Sequence, residues 1–275
     1  MARALTSGIA GQVLHRDSVR LRVRAQGSGP GLLLLHGWAL DLDMWGPQFD
    51  ELSDRFRVVA FDRRGFGLSS GEPSLERDID DVQAVLDELE LQQTAIIGMS
   101  QGARAALRYA LRSPDRISHL ILDGPPSEAE DALEEIPIGD YRELVRREGM
   151  DAFRLRWLRH PLIKLQTREP RVHQLLSTIV GRYPGADLMA RDAAFGTIEA
   201  ELADLAMPVL VINGDCDSAQ RHATAAAMTR QIPGSRHAIV AHAGHLPNLD
   251  NSPEYNRLVR EFLAHEPASP FPYPV

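Results

Sequence analysis

Ser100 lies in a pattern that could make its hydroxyl group a nucleophile. Positions 98–102 read Gly-Met-Ser-Gln-Gly, after the apolar run Thr94 to Ile97 and before the helix-like stretch Ala103 to Arg112. A serine between two glycines, at a sharp turn from a strand into a helix, projects its hydroxyl outward because flanking side chains would collide with the neighbouring elements. The pattern therefore predicts a strained backbone at Ser100 and a nucleophilic role.

A histidine is suited to activate such a serine, because imidazole titrates near neutral pH. Of the ten histidines, His245 follows a short predicted strand, Ala238 to Ala241, and the small pair Ala243-Gly244 that leads into a loop. His242 is the closest rival, three residues upstream. We expect His245 to be the general base.

Three aspartates could orient this histidine. Asp215 and Asp217 follow the apolar run Val209 to Ile212, and Asp123 follows the run Ile117 to Leu122. Each carboxylate would lie at the carboxyl end of a strand, so the residues alone leave the three alternatives open.

The chain order Ser, Asp, His is the order found in α/β-hydrolases. Two further loops resemble signature loops of that family: positions 36–38, His-Gly-Trp, and positions 62–69, which begin Asp-Arg-Arg-Gly. With five ordered motifs, the chain resembles the α/β-hydrolase fold family from about Leu21 to Phe262, except for a central insert. The resemblance implies Asp217 as the acid, in the pattern Gly-x-x-Asp, although some members carry it at the position of Asp123.

An oxyanion hole is also expected. The backbone N–H of Gln101 lies at the start of the predicted helix, where free amides and the helix dipole favour an anion. The resemblance implies that the second donor is the backbone N–H of Trp38. The Trp38 side chain could line the pocket or pack in the core, and the resemblance implies that His36 braces its own loop.

Strands and helices alternate along most of the chain, which predicts an α/β fold with a mostly parallel twisted sheet and helices on both faces. Strands are expected near Leu21 to Ala25, Leu32 to His36, Val58 to Phe61, Thr94 to Ile97, Ile117 to Leu122, Val209 to Ile212 and Ala238 to Ala241. Helices are expected around Met44 to Leu52, Leu75 to Leu89, Ser100 to Leu111 and Pro253 to His265. Residues 127–205 show helical periodicity and no convincing strand, so we predict a helical cap inserted between core segments 1–126 and 206–275.

Hydrolysis of a small carboxylic ester, lactone or thioester through an acyl-enzyme is the default activity of a Ser-His-Asp set. One alternative is a carbon–carbon bond hydrolase or a pyruvate-eliminating lyase that acts on a carboxylated substrate. Arg104 favours it, because the chain is similar to the menaquinone-pathway synthase, which has an arginine at the same offset from the serine. A ligand receptor on a hydrolase scaffold is a third alternative. Relatives that act on epoxides or haloalkanes carry aspartate in place of Ser100, which disfavours those reactions.

Arg104 and basic residues of the predicted cap could select an anionic substrate through paired hydrogen bonds. The cap candidates are Arg154, Arg156, Arg159, Lys164, Arg168, Arg171, Arg182 and Arg191. The alternative is that these side chains are solvated or paired on the surface. Trp157 is expected to pack within the cap with Phe153 and could contribute to substrate binding.

Composition restricts the partners. The net charge of −8 over 275 residues disfavours a nucleic-acid partner, because phosphate binding needs a basic face. A single cysteine, Cys216, excludes an intrachain disulfide, and no segment approaches the length needed to span a bilayer. These features favour a cytoplasmic enzyme whose partner is a small acyl substrate, with no metal or cofactor, and they leave the oligomeric state open.

Overall fold

A computed structural model of the protein describes residues 6–8, 11–16, 18–127, 136–189 and 199–264. Nine strands in these residues form one sheet. They are β1 Thr6–Gly8, β2 Gly11–Arg16, β3 Val19–Gln26, β4 Gly31–Leu35, β5 Arg57–Phe61, β6 Thr94–Met99, β7 Ile117–Asp123, β8 Val209–Gly214 and β9 Arg236–Val240. Their order across the sheet is β1-β2-β3-β5-β4-β6-β7-β8-β9.

The sheet is antiparallel at one end and parallel over the rest. The pairs β1/β2, β2/β3 and β3/β5 are antiparallel, and every pair from β5/β4 to β8/β9 is parallel. The carboxyl ends of the parallel strands therefore lie at one edge, where binding sites of such sheets form. The predicted α/β class with a mostly parallel sheet is confirmed.

Ten α-helices fall within the described ranges. They are α1 Gly46–Leu52, α2 Leu75–Glu88, α3 Gln101–Arg112, α4 Ile138–Glu148, α5 Met150–Trp157, α6 Pro170–Arg182, α7 Ala186–Met189, α8 Ala219–Gln231, α9 Pro247–Asp250 and α10 Ser252–Leu263. None of these is long and apolar enough to cross a membrane.

The four leucines of β4 show why both faces of the sheet must be covered. All four are completely buried, and successive side chains of a strand point to opposite faces. Leu32 and Leu34 pack in the apolar cluster that contains α1 and α10, whereas Leu33 and Leu35 pack in the cluster that contains α2 and α3. A continuous apolar strand thus indicates helices on both faces.

Between β7 and β8 the described residues hold α4 to α7, a 3-10 helix at Pro161–Ile163 and another at Glu199–Asp204, with no strand among them. Parts of the predicted cap, residues 128–135 and 190–198, lie outside the described residues. The division into a core and a cap at residues 127–205 remains a prediction.

The sequence analysis did not predict β1, β2, α8 and the single-turn α9. Strands β1 and β2 precede the apolar runs on which the strand predictions rest. The side chains of residues 12–16 in β2 are mostly half-buried or exposed, so this strand lacks an apolar run. Helix α8 is rich in alanine and buries few side chains, among them Ala225 and Met228, so it lacks a clear apolar stripe. Strand β9 also begins two residues before its predicted start.

Candidate active site

Ser100 lies at the junction between β6 and α3. Its φ angle is +51°, a left-handed conformation that is strained for a residue with a side chain. Its backbone N–H donates to the Asp123 carbonyl at 2.7 Å, and its own carbonyl accepts from the Ala103 N–H at 2.8 Å. These bonds at the edge of the sheet and in the first helical turn hold the strained backbone in place.

The two glycines of the turn are required by close backbone contacts. A Cβ atom at Gly98 would lie 2.4 Å from the Gly102 carbonyl oxygen, and a Cβ at Gly102 would lie 2.3 Å from the Leu35 carbonyl oxygen. Both distances are far below van der Waals contact, and the obstructing atoms are backbone. The predicted collision of flanking side chains with the neighbouring helix and strand is confirmed.

His245 and Asp217 form a buried pair. The imidazole Nδ1 lies 3.1 Å from Asp217 Oδ2, and the two side chains are 5 % and 1 % exposed. Because Nδ1 faces a carboxylate, it carries the ring proton in the neutral tautomer and Nε2 keeps a lone pair. Nε2 is buried and has no hydrogen-bond partner within the described ranges, so it is available to accept a proton.

Asp217 is held in its charged form. The Asn213 side-chain amide donates to Oδ2 at 3.1 Å, and the Ser218 N–H donates to Oδ1 at 2.8 Å. Burial alone would raise the pKa of Asp217, but His245, Asn213 and the Ser218 N–H together lower it below its ordinary value.

The other two candidate acids are placed differently. Asp215 is exposed and its Oδ1 accepts from the Ala243 N–H at 3.0 Å. Asp123 is completely buried. Burial raises the pKa of Asp123 well above its ordinary value, the Tyr255 hydroxyl opposes this effect and Asp217 adds to it. The imidazole therefore contacts Asp217, whose pKa is lowered, whereas burial opposes ionisation of Asp123. The rival base, His242, is an exposed residue.

The two expected oxyanion donors start from neighbouring elements of the sheet edge. Gln101 is the first residue of α3, so its N–H has no acceptor within the helix. Trp38 follows β4, and the preceding His36 fixes the loop: its Nε2 accepts from the Arg63 N–H at 2.9 Å and its Nδ1 contacts the Gly37 carbonyl at 2.8 Å. Burial and the charge of Arg63 lower the pKa of His36 well below its ordinary value, so His36 is a neutral brace.

Arg63 is a site residue that the sequence analysis missed. Its guanidinium donates to the Gln101 side-chain oxygen at 2.7 Å and lies 3.4 Å from the Gly37 carbonyl, so it joins the two segments that carry the expected oxyanion donors. Asp78 anchors it from the other side at 2.7 Å. The signal was present in the Asp-Arg-Arg-Gly loop, but the sequence does not show which arginine turns inward.

Trp157 lies in an aromatic cluster of the predicted cap that encloses Trp38. The centroid of its indole is 4.8 Å from that of Trp38, and its ring stacks on that of His160 with the centroids 4.7 Å apart. Trp157 is 3 % exposed. Packing against the oxyanion loop is thus its observed environment, and a role in substrate binding remains a prediction.

The basic candidates of the described residues lie in different environments. The Arg104 guanidinium donates to the Ser127 carbonyl at 2.7 Å, where the chain leaves the core. Arg154 donates to the Tyr183 carbonyl and pairs with Asp151, both at bond lengths near 2.8 Å. The exposed basic residues are Arg156, Arg159, Lys164, Arg168 and Arg171, and Arg191 lies outside the described residues. These environments favour the alternative that the basic residues are solvated or paired, and the expectation that Arg104 and at least one arginine from Arg154 to Arg171 bind a carboxylated substrate stays a prediction.

Comparison with known proteins identifies the family of this chain. A family model described as alpha/beta hydrolase fold matches residues 30–252, so the chain belongs to the α/β-hydrolase fold family. Over 251 residues, 83% of this chain and 94% of the relative, it is 28% identical to a pimeloyl-[acyl-carrier protein] methyl ester esterase of Nitrosomonas europaea. It is 25% identical over 90% of its length, and 96% of the relative, to a Bacillus subtilis protein provisionally named a 2-succinyl-6-hydroxy-2,4-cyclohexadiene-1-carboxylate synthase. The crystal structure of an enol-lactonase from Burkholderia xenovorans is similar with a TM-score of 0.78 and 25% identity, covering 92% of this chain and 100% of that one.

Proposed function

We propose that the protein is a serine hydrolase that cleaves a small carboxylic ester, lactone or thioester through an acyl-enzyme on Ser100. The observation that carries the proposal is the buried pair of His245 and Asp217, 3.1 Å apart, together with the strained turn that presents Ser100. The three residues come from loops after three parallel strands, which end at the same edge of the sheet.

The reaction follows from what each group can do. The Ser100 oxygen attacks the substrate carbonyl carbon while its proton passes to His245 Nε2, and Asp217 stabilises the resulting imidazolium. The negative charge on the carbonyl oxygen is stabilised by the backbone N–H groups of Trp38 and Gln101. The tetrahedral intermediate then breaks its bond to the leaving oxygen or sulfur, which takes the proton from His245.

Deacylation repeats these steps with water. His245 accepts a proton from the water molecule as its oxygen attacks the acyl carbon, and the proton is returned to the Ser100 oxygen when the carboxylic acid leaves. All groups that move a proton in this scheme are buried side chains of the site described above.

The charges of the described residues favour a neutral acyl group over a carboxylated one. Cap arginines that could have paired with a substrate carboxylate are exposed or bound to backbone, and Arg104 donates to Ser127. The names of the relatives also support an ester or lactone substrate, since two of the three are an esterase and a lactonase.

The experiment is turnover of p-nitrophenyl esters of short acyl chains by wild type, Ser100→Ala and Ser113→Ala. Ser113, at the far end of α3, is the matched control. We expect Ser100→Ala to abolish turnover and Ser113→Ala to leave it unchanged, with both variants folded. Covalent labelling by a serine-directed phosphonate at a residue other than Ser100 would overturn the proposal.

A further inference from the structure

The indole of Trp38 is bound by the cap. Its Nε1–H donates to Asp187 Oδ2 at 2.5 Å, and the other oxygen of this carboxylate accepts from the Tyr183 hydroxyl at 2.6 Å. Burial and the adjacent carboxylate raise the pKa of Tyr183 well above its ordinary value, so the phenol remains a donor. Hydrogen bonds to a carboxylate are shorter and stronger than those between neutral groups.

Three rings of the cap enclose the same indole. The ring centroids of Trp157, Tyr183 and Phe153 lie 4.8, 5.6 and 5.8 Å from that of Trp38, each in an edge-on arrangement. Trp38 is only 7 % exposed. The side chain of a core residue is thus embedded in cap residues, while its backbone belongs to the loop after β4.

A second contact fastens the cap to the same loop. Arg182, the last residue of α6, donates through Nε to Asp41 at 2.9 Å and through its terminal nitrogen to Asp43 at 2.6 Å. Burial raises the pKa of Asp41 although Arg182 lowers it. Because Asp41 is 1 % exposed, the arginine is needed to keep a charge in this position.

The loop between these two contacts is strained. Ala39 has a φ of +56°, in the left-handed region that disfavours residues with a Cβ. A residue stays in such a conformation only when contacts on both sides determine it. On the core side, His36 contacts the Gly37 carbonyl. On the cap side, Asp187 and Arg182 hold Trp38 and Asp41.

We propose that Asp187 and Arg182 are positioning residues of the oxyanion hole, which hold the strained turn from Trp38 to Asp41 so that the Trp38 N–H points at the reacting carbonyl. This proposal rests on the proposed function, because it assigns that N–H to the oxyanion. The two cap residues touch no reacting atom. Their effect passes through the side chains of Trp38 and Asp41 to the backbone between them.

An oxyanion donor acts only when it is aimed at the position where negative charge develops. A turn released from the cap would misalign one of two donors and leave the triad intact. The loss should therefore appear in kcat and in the binding of a tetrahedral transition-state analogue, and hardly in KM.

The test compares Asp187→Ala, Asp187→Asn, Trp38→Phe and the double variant Trp38→Phe/Asp187→Ala, on a p-nitrophenyl ester and with an alkyl boronic acid as inhibitor. Asp187→Ala should lower kcat by about 10- to 100-fold, below the full loss of one oxyanion donor, and should weaken boronate binding by a similar factor. Asp187→Asn keeps an acceptor for the indole and should restore most of the rate. In the Trp38→Phe background, which lacks the indole donor, Asp187→Ala should cause little further loss.

Arg182→Met should behave as Asp187→Ala does. Thr178→Ala is the control for general loosening of the cap, because Thr178 is exposed on α6 and its hydroxyl donates to the Gln174 carbonyl of the same helix at 2.9 Å. Equal losses in Thr178→Ala and Asp187→Ala, or additive losses in the double variant, would overturn the proposal. If Asp187→Ala does not fold, Trp38→Phe tests the same bond from the core side and must then lower kcat and boronate affinity together. A wild-type protein that neither turns over esters nor labels at Ser100 would instead refute the proposed function itself.

Discussion

The imidazole of His245 lies directly against Gly124. A Cβ atom at Gly124 would be 2.7 Å from Cε1 and 2.8 Å from Nδ1 of the imidazole, and the glycine has a φ of +51°. Gly124 follows β7, so the strand beside the one that precedes Ser100 also limits where the histidine can lie. A side chain at position 124 would occupy space that the imidazole now fills.

Gly124→Ala should therefore displace His245 and lower kcat, on the order of 100-fold, by disturbing general-base catalysis. Gly234→Ala is the matched control, since Gly234 also has a left-handed φ, +67°, and nothing lies within 4 Å of the Cβ position. Both substitutions should cost about 1 kcal/mol of stability from the unfavourable φ. Steady-state kinetics and denaturant unfolding of both variants check this, and equal activities would show that Gly124 does not confine the histidine.

Two Asp-to-Asn variants test which aspartate orients His245. Asp217→Asn should lower kcat by roughly 10⁴-fold, because the amide can favour the wrong imidazole tautomer. Asp123→Asn should have a small effect, since the carboxylate that contacts the imidazole is Asp217 and an amide has nearly the shape of the Asp123 carboxyl group. A greater loss with Asp123→Asn would assign the acid to β7 instead of β8.

Much of the site could be predicted from the sequence because its determinants are local. The turn at Ser100 and the loop at His245 each occupy a few consecutive residues after an apolar run, and their glycines can be identified directly in the sequence. The choice among Asp217, Asp215 and Asp123 needed the family pattern, because all three follow strands and only the folded structure gives the 3.1 Å distance to His245.

The cap contacts could not be predicted in the same way. Asp187 lies 149 residues from Trp38, and Arg182 lies 141 residues from Asp41. Both belong to short or half-buried helical segments whose periodicity indicates a helix but gives no partner. The role of the cap arginines could not be predicted either, since a charge pattern does not show which face of a helix meets the core.

Asp62 should make stability depend on pH in a defined window. Burial, then the nearby Asp41, raise its pKa from 3.8 to about 6. Between about pH 4 and pH 6 the folded chain keeps a proton that the unfolded chain has released, so this group lowers the free energy of unfolding as pH rises. The free energy of unfolding of wild type minus that of Asp62→Asn should fall by on the order of 2 kcal/mol as pH rises from 4 to 6. Urea unfolding of both proteins at pH 4, 5, 6 and 7 measures this difference in the free energy of unfolding. If the difference increases with pH, the pKa of Asp62 is not raised in the folded protein.

Replacing Arg104 should not change how the enzyme discriminates between neutral and carboxylated substrates. Its guanidinium is bonded to the Ser127 carbonyl, so Arg104→Ala should change the kcat/KM values of a neutral ester and of a carboxylated ester of equal length by the same factor. Hydrolysis rates on this matched pair of esters are the measurement. A selective loss of about 10-fold or more on the carboxylated ester would indicate a substrate contact, since losing a charged hydrogen bond in a desolvated site has an effect of this size.

The covalent intermediate tests the central claim most directly. After rapid mixing of the protein with p-nitrophenyl acetate and an acid quench, intact-protein and peptide mass spectrometry would locate the acyl group. We predict one acetyl group per chain on the peptide containing Ser100 in wild type, and none in Ser100→Ala. An acetyl group on another residue, or ester turnover that persists in Ser100→Ala, would contradict the account.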